Sequence, residues 1–218
     1  MARIVFDLDG TLIDSAPDIQ NIANTLMEED GLAPFSLAQA HDFIGNGVAV
    51  FVQKMRAARN IPDSQQKDLL ARFVARYHSA TNLTEIYPGV CEALRELVAE
   101  GHVLGVCTNK PMEATQAVLN HLSLNIFFQT VIGGDSLPVS KPDPAPLDAA
   151  FDALGEGLMI YVGDSDVDAE TASRANVPFI LFTEGYRKVP VSALPHEKAF
   201  SSFDKLPSLV TALLAKET

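Results

Sequence analysis

Tryptophan is absent from this chain, cysteine occurs only twice, and aromatic residues make up just 7% of it. Two cysteines, Cys91 and Cys107, supply neither a disulfide framework nor a thiolate metal site. Cys107 lies inside the apolar run Val103–Cys107 and reads as a buried free thiol, which fits a reducing, cytoplasmic setting. Basic residues are scarce as well: 16 Lys and Arg stand against 28 Asp and Glu, a formal net charge of −12. That balance argues against nucleic acid as a partner, because such binding relies on clustered lysine and arginine. It also requires local positive charge, from a metal or a few placed lysines, wherever an anionic substrate binds. No apolar run is long enough to span a bilayer and none precedes the first strand, so neither a membrane span nor a leader is expected. The five histidines (His41, His78, His102, His121 and His196) share no ligand spacing and read as structural or solvated.

What is present is a core. Hydrophobic residues make up 47% of 218, enough for one large domain or one domain with an insert. Short apolar runs at 4–8, Val103–Cys107, 131–132, 158–162 and Phe179–Phe182 predict buried parallel strands. Helical patterns follow several of them: Val90, Leu94, Leu97 and Val98 recur at helical spacing before Gly101, and similar segments cover 112–122, 144–154 and Asp166–Ala175. Strand–helix alternation of this kind predicts an α/β fold with a doubly wound parallel sheet. Between the first strand and Val103 lies far more chain than one crossover needs. The surplus carries no strand pattern but shows helical stretches at 18–29, Leu37–Phe43, 48–59 and 65–80. We read residues 1–14 and 86–218 as an α/β core, and 15–85 as a helical cap inserted after the first strand, since long connections in compact domains are usually functional. The segment Leu206–Leu214 reads as an amphipathic helix packed on the sheet edge.

The first strand runs into Asp7-Leu8-Asp9-Gly10-Thr11-Leu12, where Gly10 bends the chain so that Asp7 and Asp9 can meet near one point. Two such carboxylates bind a cation, share a proton or are strained. The second strand ends in Thr108-Asn109-Lys110, a proline-rich turn beyond the third holds Lys141, and the fourth ends in Gly163-Asp164-Ser165-Asp166-Val167-Asp168. Taken singly, each suits a turn, a helix cap or a solvated charge. Right-handed crossovers put all the strand ends on one edge, so scattered motifs converge.

That constellation supports phosphoryl transfer. Magnesium takes oxygen ligands, for which Asp7 and Asp164 offer side chains and Asp9 its backbone carbonyl. An ionised aspartate can serve as nucleophile, and a second carboxylate beside it can protonate the leaving oxygen and later activate water. Lys141 supplies fixed positive charge, while the Thr108 hydroxyl and Asn109 amide can donate to phosphoryl oxygens.

With these four motifs in order over its whole length, the chain resembles the haloacid dehalogenase superfamily. The resemblance implies Asp7 as nucleophile and Asp9 as acid/base, with Asp7, Asp9 and Asp164 around Mg²⁺. It implies Asp168 in support of the metal site or of Lys141, and a helical cap between the first two motifs. A carboxylate at position 9 favours phosphate ester cleavage over dehalogenation. Within the superfamily the chain is similar to the phosphoglycolate phosphatase branch. That likeness rests on Leu12-Ile13-Asp14-Ser15, the glycine loop Phe43-Ile44-Gly45-Asn46-Gly47-Val48, Ser140-Lys141-Pro142-Asp143-Pro144 and Glu184-Gly185-Tyr186-Arg187. It implies Gly45 and Asn46 as substrate contacts, a small phosphate ester such as 2-phosphoglycolate as substrate, and a monomer or homodimer. A phosphomutase or a non-catalytic binding protein on the same scaffold would share the core motifs. Asn176, where relatives often carry glycine, suits a left-handed helix cap. Lys54, Arg56 and Arg59 on a cap helix read as solvated charges.

Overall fold

The computed structural model describes residues 1–215. The expected core segment 86–218 therefore ends on three residues outside the described ones. The chain opens with β1 (Ala2–Phe6) and the short β2 (Ile13–Asp14), then four helices, α1 (Ala16–Glu29), α2 (Leu37–Phe43), α3 (Gly47–Ala58) and α4 (Gln66–Tyr77). After β3 (Glu85–Ile86) come α5 (Val90–Ala99), β4 (Val103–Cys107), α6 (Met112–His121), β5 (Thr130–Ile132) and α7 (Ala145–Ala153). The chain closes with β6 (Leu158–Gly163), α8 (Asp166–Ala175), β7 (Phe179–Phe182), β8 (Lys198–Phe200) and α9 (Leu206–Leu214).

Six strands form one parallel sheet in the order β5-β4-β1-β6-β7-β8. Side chains alternate across it, as the pleat demands. Ile4, Phe6, Leu104, Val106, Ile160 and Val162 join one core layer with residues of α5 and α9. Val5, Cys107 and Tyr161 face the other layer, which α7 and α8 cover with Leu147, Phe151, Ala169 and Ala172. The doubly wound α/β fold read from the pattern is therefore the fold observed. The chain runs from β1 outward to β4 and β5, then crosses back through α7 to β6 on the other side of β1, so the winding reverses beside β1, whose C-terminal end is where such sheets bind ligands.

Four details differ from the pattern. β1 stops at Phe6 rather than residue 8, because the Leu8 carbonyl turns to accept from Thr11, Leu12 and Ile13 N–H and starts a tight turn. β8 was not expected: Lys-Ala-Phe is too short and too polar to read as an apolar run, as befits an edge. The stretch 15–86 is not free of strand either, since Glu85–Ile86 pairs antiparallel with Ile13–Asp14. Helix α9 lies beside α5, with Leu206, Val210 and Leu213 in the core layer rather than at the sheet edge. Asn176 ends α8 in the left-handed region at φ 54°, as its residue type suggests.

Helices α1 to α4 build a cluster of their own, with Ile22, Leu26, Met27, Val52, Met55, Leu69 and Phe73 buried. Rings of Phe51 and Phe73 lie 5.2 Å apart, and those of Phe73 and Tyr77 5.6 Å, so α3 and α4 meet through aromatic contacts. The same face of α4 carries Tyr77 toward the ends of β1 and β4.

Candidate active site

Four loops meet above the C-terminal ends of β1, β4 and β6, and Asp7, Asp9, Thr108, Asn109, Lys141 and Asp164 all line the cavity between them. Asp7 follows β1 directly. Lys141 arrives from the loop before α7 and is buried, and its ammonium spends all three hydrogens on protein oxygens. It donates to Asp7 Oδ1 at 2.7 Å, Asp168 Oδ1 at 2.7 Å and the Tyr161 hydroxyl at 2.8 Å. Lys141 thus fixes Asp7 from behind, with no hydrogen left for a ligand.

Asp168 completes that support. Its Oδ1 accepts from Lys141 and Tyr161, and its Oδ2 accepts from Ser165 Oγ at 2.6 Å and from Ser165 N–H at 3.1 Å. Ser165 in return accepts from Asp168 N–H, a reciprocal cap that sets the start of α8. Asp164, just before it, accepts from the Thr11 hydroxyl at 2.7 Å and from Tyr186 N–H at 2.6 Å. Gly10 and Gly185 make room for this carboxylate. Gly10 has φ +91°, and a Cβ there would lie 2.6 Å from Asp164 Oδ2, while a Cβ on Gly185 would run into the Gly10 carbonyl and Asp164.

Asp9 lies outside the Asp7–Asp164–Asp168 cluster. Its Oδ1 accepts from Ser15 Oγ at 2.6 Å and from Lys110 Nζ at 3.1 Å. Lys110 also donates to the Tyr77 hydroxyl at 2.9 Å, so one buried ammonium joins the end of β4, the β1 loop and helix α4. Sequence reasoning gave Lys110 no role, though it closes the tripeptide Thr108-Asn109-Lys110. The Thr108 hydroxyl accepts from Lys110 N–H at 3.1 Å, and the residue lines the cavity. Tyr186 went unassigned too. Its hydroxyl donates to Asp14 and accepts from Ser15 and Ala16 N–H, tying Asp164 to the start of α1.

The glycine loop sits opposite. Gly45 and Gly47 line the cavity, whereas Asn46, expected beside them, is exposed and lies outside the lining. Both hydrogens of the Asn109 amide are engaged, one on the Gly45 carbonyl at 3.1 Å and one on the Lys141 carbonyl at 2.9 Å. The side-chain amide expected to meet a phosphoryl group instead holds the loop down. Lys188 does the same, donating to the Ile44 carbonyl at 2.7 Å. Lys54 and Arg59 bond to carbonyls of Asp42, Ala33 and Pro34 within the helical segment, and neither lines the cavity.

Burial and the Asp168 charge push Asp7 up to about 7 against the pull of Lys141. Burial, then the charges of Asp168 and Asp7, raise Asp164 well above the carboxylate range. Burial opposes the charge on Asp168 as well, but Lys141 outweighs it and keeps that carboxyl low. Asp7, Asp9, Asp164 and Asp168 set four carboxylates against the ammonium groups of Lys110 and Lys141. Oxygens of Asp7, Asp164 and Asp168 lie within 4.8 Å of one another. Since Asp168 is fully engaged, Asp7 and Asp164 are the donors left, and a hard divalent cation between their oxygens would offset the burial and mutual repulsion that now oppose their ionised forms.

Asp7, the separately held Asp9 and the buried Lys141 meet at one sheet edge beside the cavity. The chain belongs to the haloacid dehalogenase-like hydrolases, whose family model matches residues 4–182. It is similar to the phosphoglycolate phosphatase of Cereibacter sphaeroides, 52% identical over 99% of this chain and all of that protein. The phosphoglycolate phosphatase of Rhodobacter capsulatus is 42% identical over 95% of both chains. The crystal structure of a predicted phosphoglycolate phosphatase from Haemophilus somnus superposes with a TM-score of 0.87 at 30% identity, covering 95% of this chain and 96% of that one. As an enzyme, the chain is a phosphoric monoester hydrolase. Among the described residues no helix is long and apolar enough to cross a membrane.

Proposed function

We propose that this chain is a magnesium-dependent phosphatase that hydrolyses 2-phosphoglycolate to glycolate and phosphate through an aspartyl-phosphate on Asp7. The observation that carries the reading is the paired arrangement of Asp7 and Asp9. One is pinned by Lys141 beside an acidic cluster, the other is held by Ser15 and Lys110 where a leaving oxygen would sit. Asp7 and Asp164 would hold Mg²⁺, and Asp9 would add its backbone carbonyl. Bound there, the ion supplies electrostatic stabilisation of the transferring phosphoryl group.

The protein's own part follows from the geometry. The Thr108 hydroxyl donates to a phosphoryl oxygen. Asp7 attacks phosphorus in line, held in place by a Lys141 that neither moves nor leaves it. Asp9 protonates the departing alkoxide, then takes a proton from the water that cleaves the acyl phosphate. The segment 15–85 acts as a cap, and its apolar lining (Ile19, Val48, Phe51 and Phe73) excludes bulk water during the reaction.

A panel of phosphorylated metabolites ranked by kcat/KM tests the reading, with free phosphate rather than an isomerised sugar phosphate as the expected product. Asp7→Asn is expected to lose on the order of 10⁴-fold or more in kcat while keeping its fold by circular dichroism. Near-normal turnover in that variant removes Asp7 as nucleophile.

A further inference from the structure

The phosphoryl end of a substrate has its contacts in this site, but the other end has no assigned partner. For 2-phosphoglycolate that other end is a carboxylate, which calls for a cation. The helical segment offers none: its lining is Ile19, Ile44, Val48, Phe51, Phe73 and Tyr77, with Gly45 and Gly47, and among the described residues none of its lysines or arginines reaches the cavity. Among the described residues three lysines line the cavity, all from the core: Lys110, Lys141 and Lys188.

Their commitments separate them. Lys141 has no donor to spare, with its three hydrogens on Asp7, Asp168 and Tyr161. Lys188 donates to the Ile44 carbonyl, a contact that holds the glycine loop against the core, and keeps hydrogens beyond it. Lys110 has two recorded acceptors among the described residues, Asp9 Oδ1 and the Tyr77 hydroxyl, and one hydrogen beyond them. Its position matters more than the count. An acid must lie within hydrogen-bond reach of the oxygen it protonates. In 2-phosphoglycolate the carboxyl carbon is two bonds from that oxygen, and Lys110 Nζ lies 3.1 Å from the carboxylate of the acid, Asp9. The Tyr77 ring lies under the ammonium, 4.4 Å from centroid to Nζ, and only 3% of the side chain is exposed. A cation so shielded from water makes strong charge-assisted hydrogen bonds.

Resting on the phosphoglycolate reading, we propose that Lys110 binds the carboxylate of the leaving group and is the residue that selects an anionic glycolate over a neutral alcohol. The same ammonium then steadies Asp9 and receives the product carboxylate, while Tyr77 holds it from the cap side.

The test compares kcat/KM on 2-phosphoglycolate and on 2-hydroxyethyl phosphate, the same ester with an alcohol in place of the carboxylate. Wild type is expected to prefer the carboxylate. In Lys110→Met and Lys110→Gln the ratio between the two esters is expected to fall on the order of 10- to 100-fold, the weight of one charge-assisted hydrogen bond. Lys110→Arg, which keeps the cation, retains the preference, and Lys188→Met lowers both esters together. Melting curves confirm that each variant is folded, and Gln keeps a donor for Asp9 if Met does not fold. An unchanged ratio in the Lys110 variants, with both esters falling alike, overturns the proposal by showing that Lys110 acts only through Asp9. Loss of the ratio in Lys188→Met overturns it in favour of that lysine. A wild type with no preference for the carboxylate fails the phosphoglycolate reading itself, whereas preference that survives in the Lys110 variants fails the Lys110 assignment alone.

Discussion

Replacing Lys141 with methionine keeps the length of the side chain and deletes the ammonium that Asp7 and Asp168 share at 2.7 Å each. Both carboxyls are buried, so the variant leaves two like charges close together without their cation. Removing one partner of a buried ion pair costs about 3–5 kcal/mol, a large part of the roughly 5–15 kcal/mol that holds a domain folded. The loss depends on pH, and its sign follows from Asp7. In the wild type its folded value, about 7, already lies above the ordinary 3.8. Without Lys141 it moves higher still, by about 1–3 units for the loss of an adjacent opposite charge. A carboxyl whose folded value exceeds its unfolded one binds extra protons when folded, so stability rises as pH falls through the folded value. The deficit of Lys141→Met is largest above the variant's raised Asp7 value and shrinks as pH falls from there through the wild-type value. By pH 5.5 both proteins carry the Asp7 proton, but the variant has gained more from it, and the deficit shrinks by about 1 to 1.4 kcal/mol, the equivalent of up to one unit. Urea unfolding of both proteins in EDTA at pH 8 and pH 5.5 measures it. A deficit below about 1 kcal/mol at pH 8, or one equal at both pH values, refutes the picture of Lys141 as the buried counter-ion of this pair.

Two further perturbations probe the scaffold. His102 accepts from Ala2 N–H at 3.1 Å through Nδ1, and burial first, with the N-terminal ammonium, holds it below its ordinary value against the pull of Glu100. The folded chain therefore resists protonating it, and wild-type stability should fall as pH drops below about 6.5, by an increment that His102→Gln lacks in pH-dependent melting curves. Gly185→Ala would drive a methyl group into the Gly10 carbonyl and Asp164, and overpacking of this kind costs about 1–3 kcal/mol. Because Asp164 would shift, calorimetric Mg²⁺ affinity should fall roughly 10- to 100-fold; unchanged affinity would show that this carboxylate does not hold the ion.

The α/β class was legible because β1, β4, β6 and β7 are continuous apolar runs with helices between them, and that alternation permits few topologies. The convergence of Asp7, Thr108, Lys141 and Asp164 was legible for the same reason: each ends or follows a strand whose direction the crossover rule dictates. Lys110 was not. Its partners Asp9 and Tyr77 lie 101 and 33 residues away in the chain, and the contact exists only because α4 packs over the β4 end. Asn109 shows the opposite failure, since residue type marks it as a donor but not that Gly45 and Lys141 carbonyls take both its hydrogens. The strands β2, β3 and β8 escaped because two or three residues carry no periodicity; pairing partners, not composition, make them strands.

The glycine loop meets the rest of the molecule through its main chain: Asn109 and Lys188 both grip carbonyl oxygens, of Gly45 and Ile44. Every amino acid offers that oxygen, so the grip is blind to which side chains the loop carries. Gly45 and Gly47, at φ +119° and +80°, are held to glycine by their backbone, but the residues between and beside them can drift in bulk and polarity, reshaping the room left for a ligand, while the loop still seats in the same place.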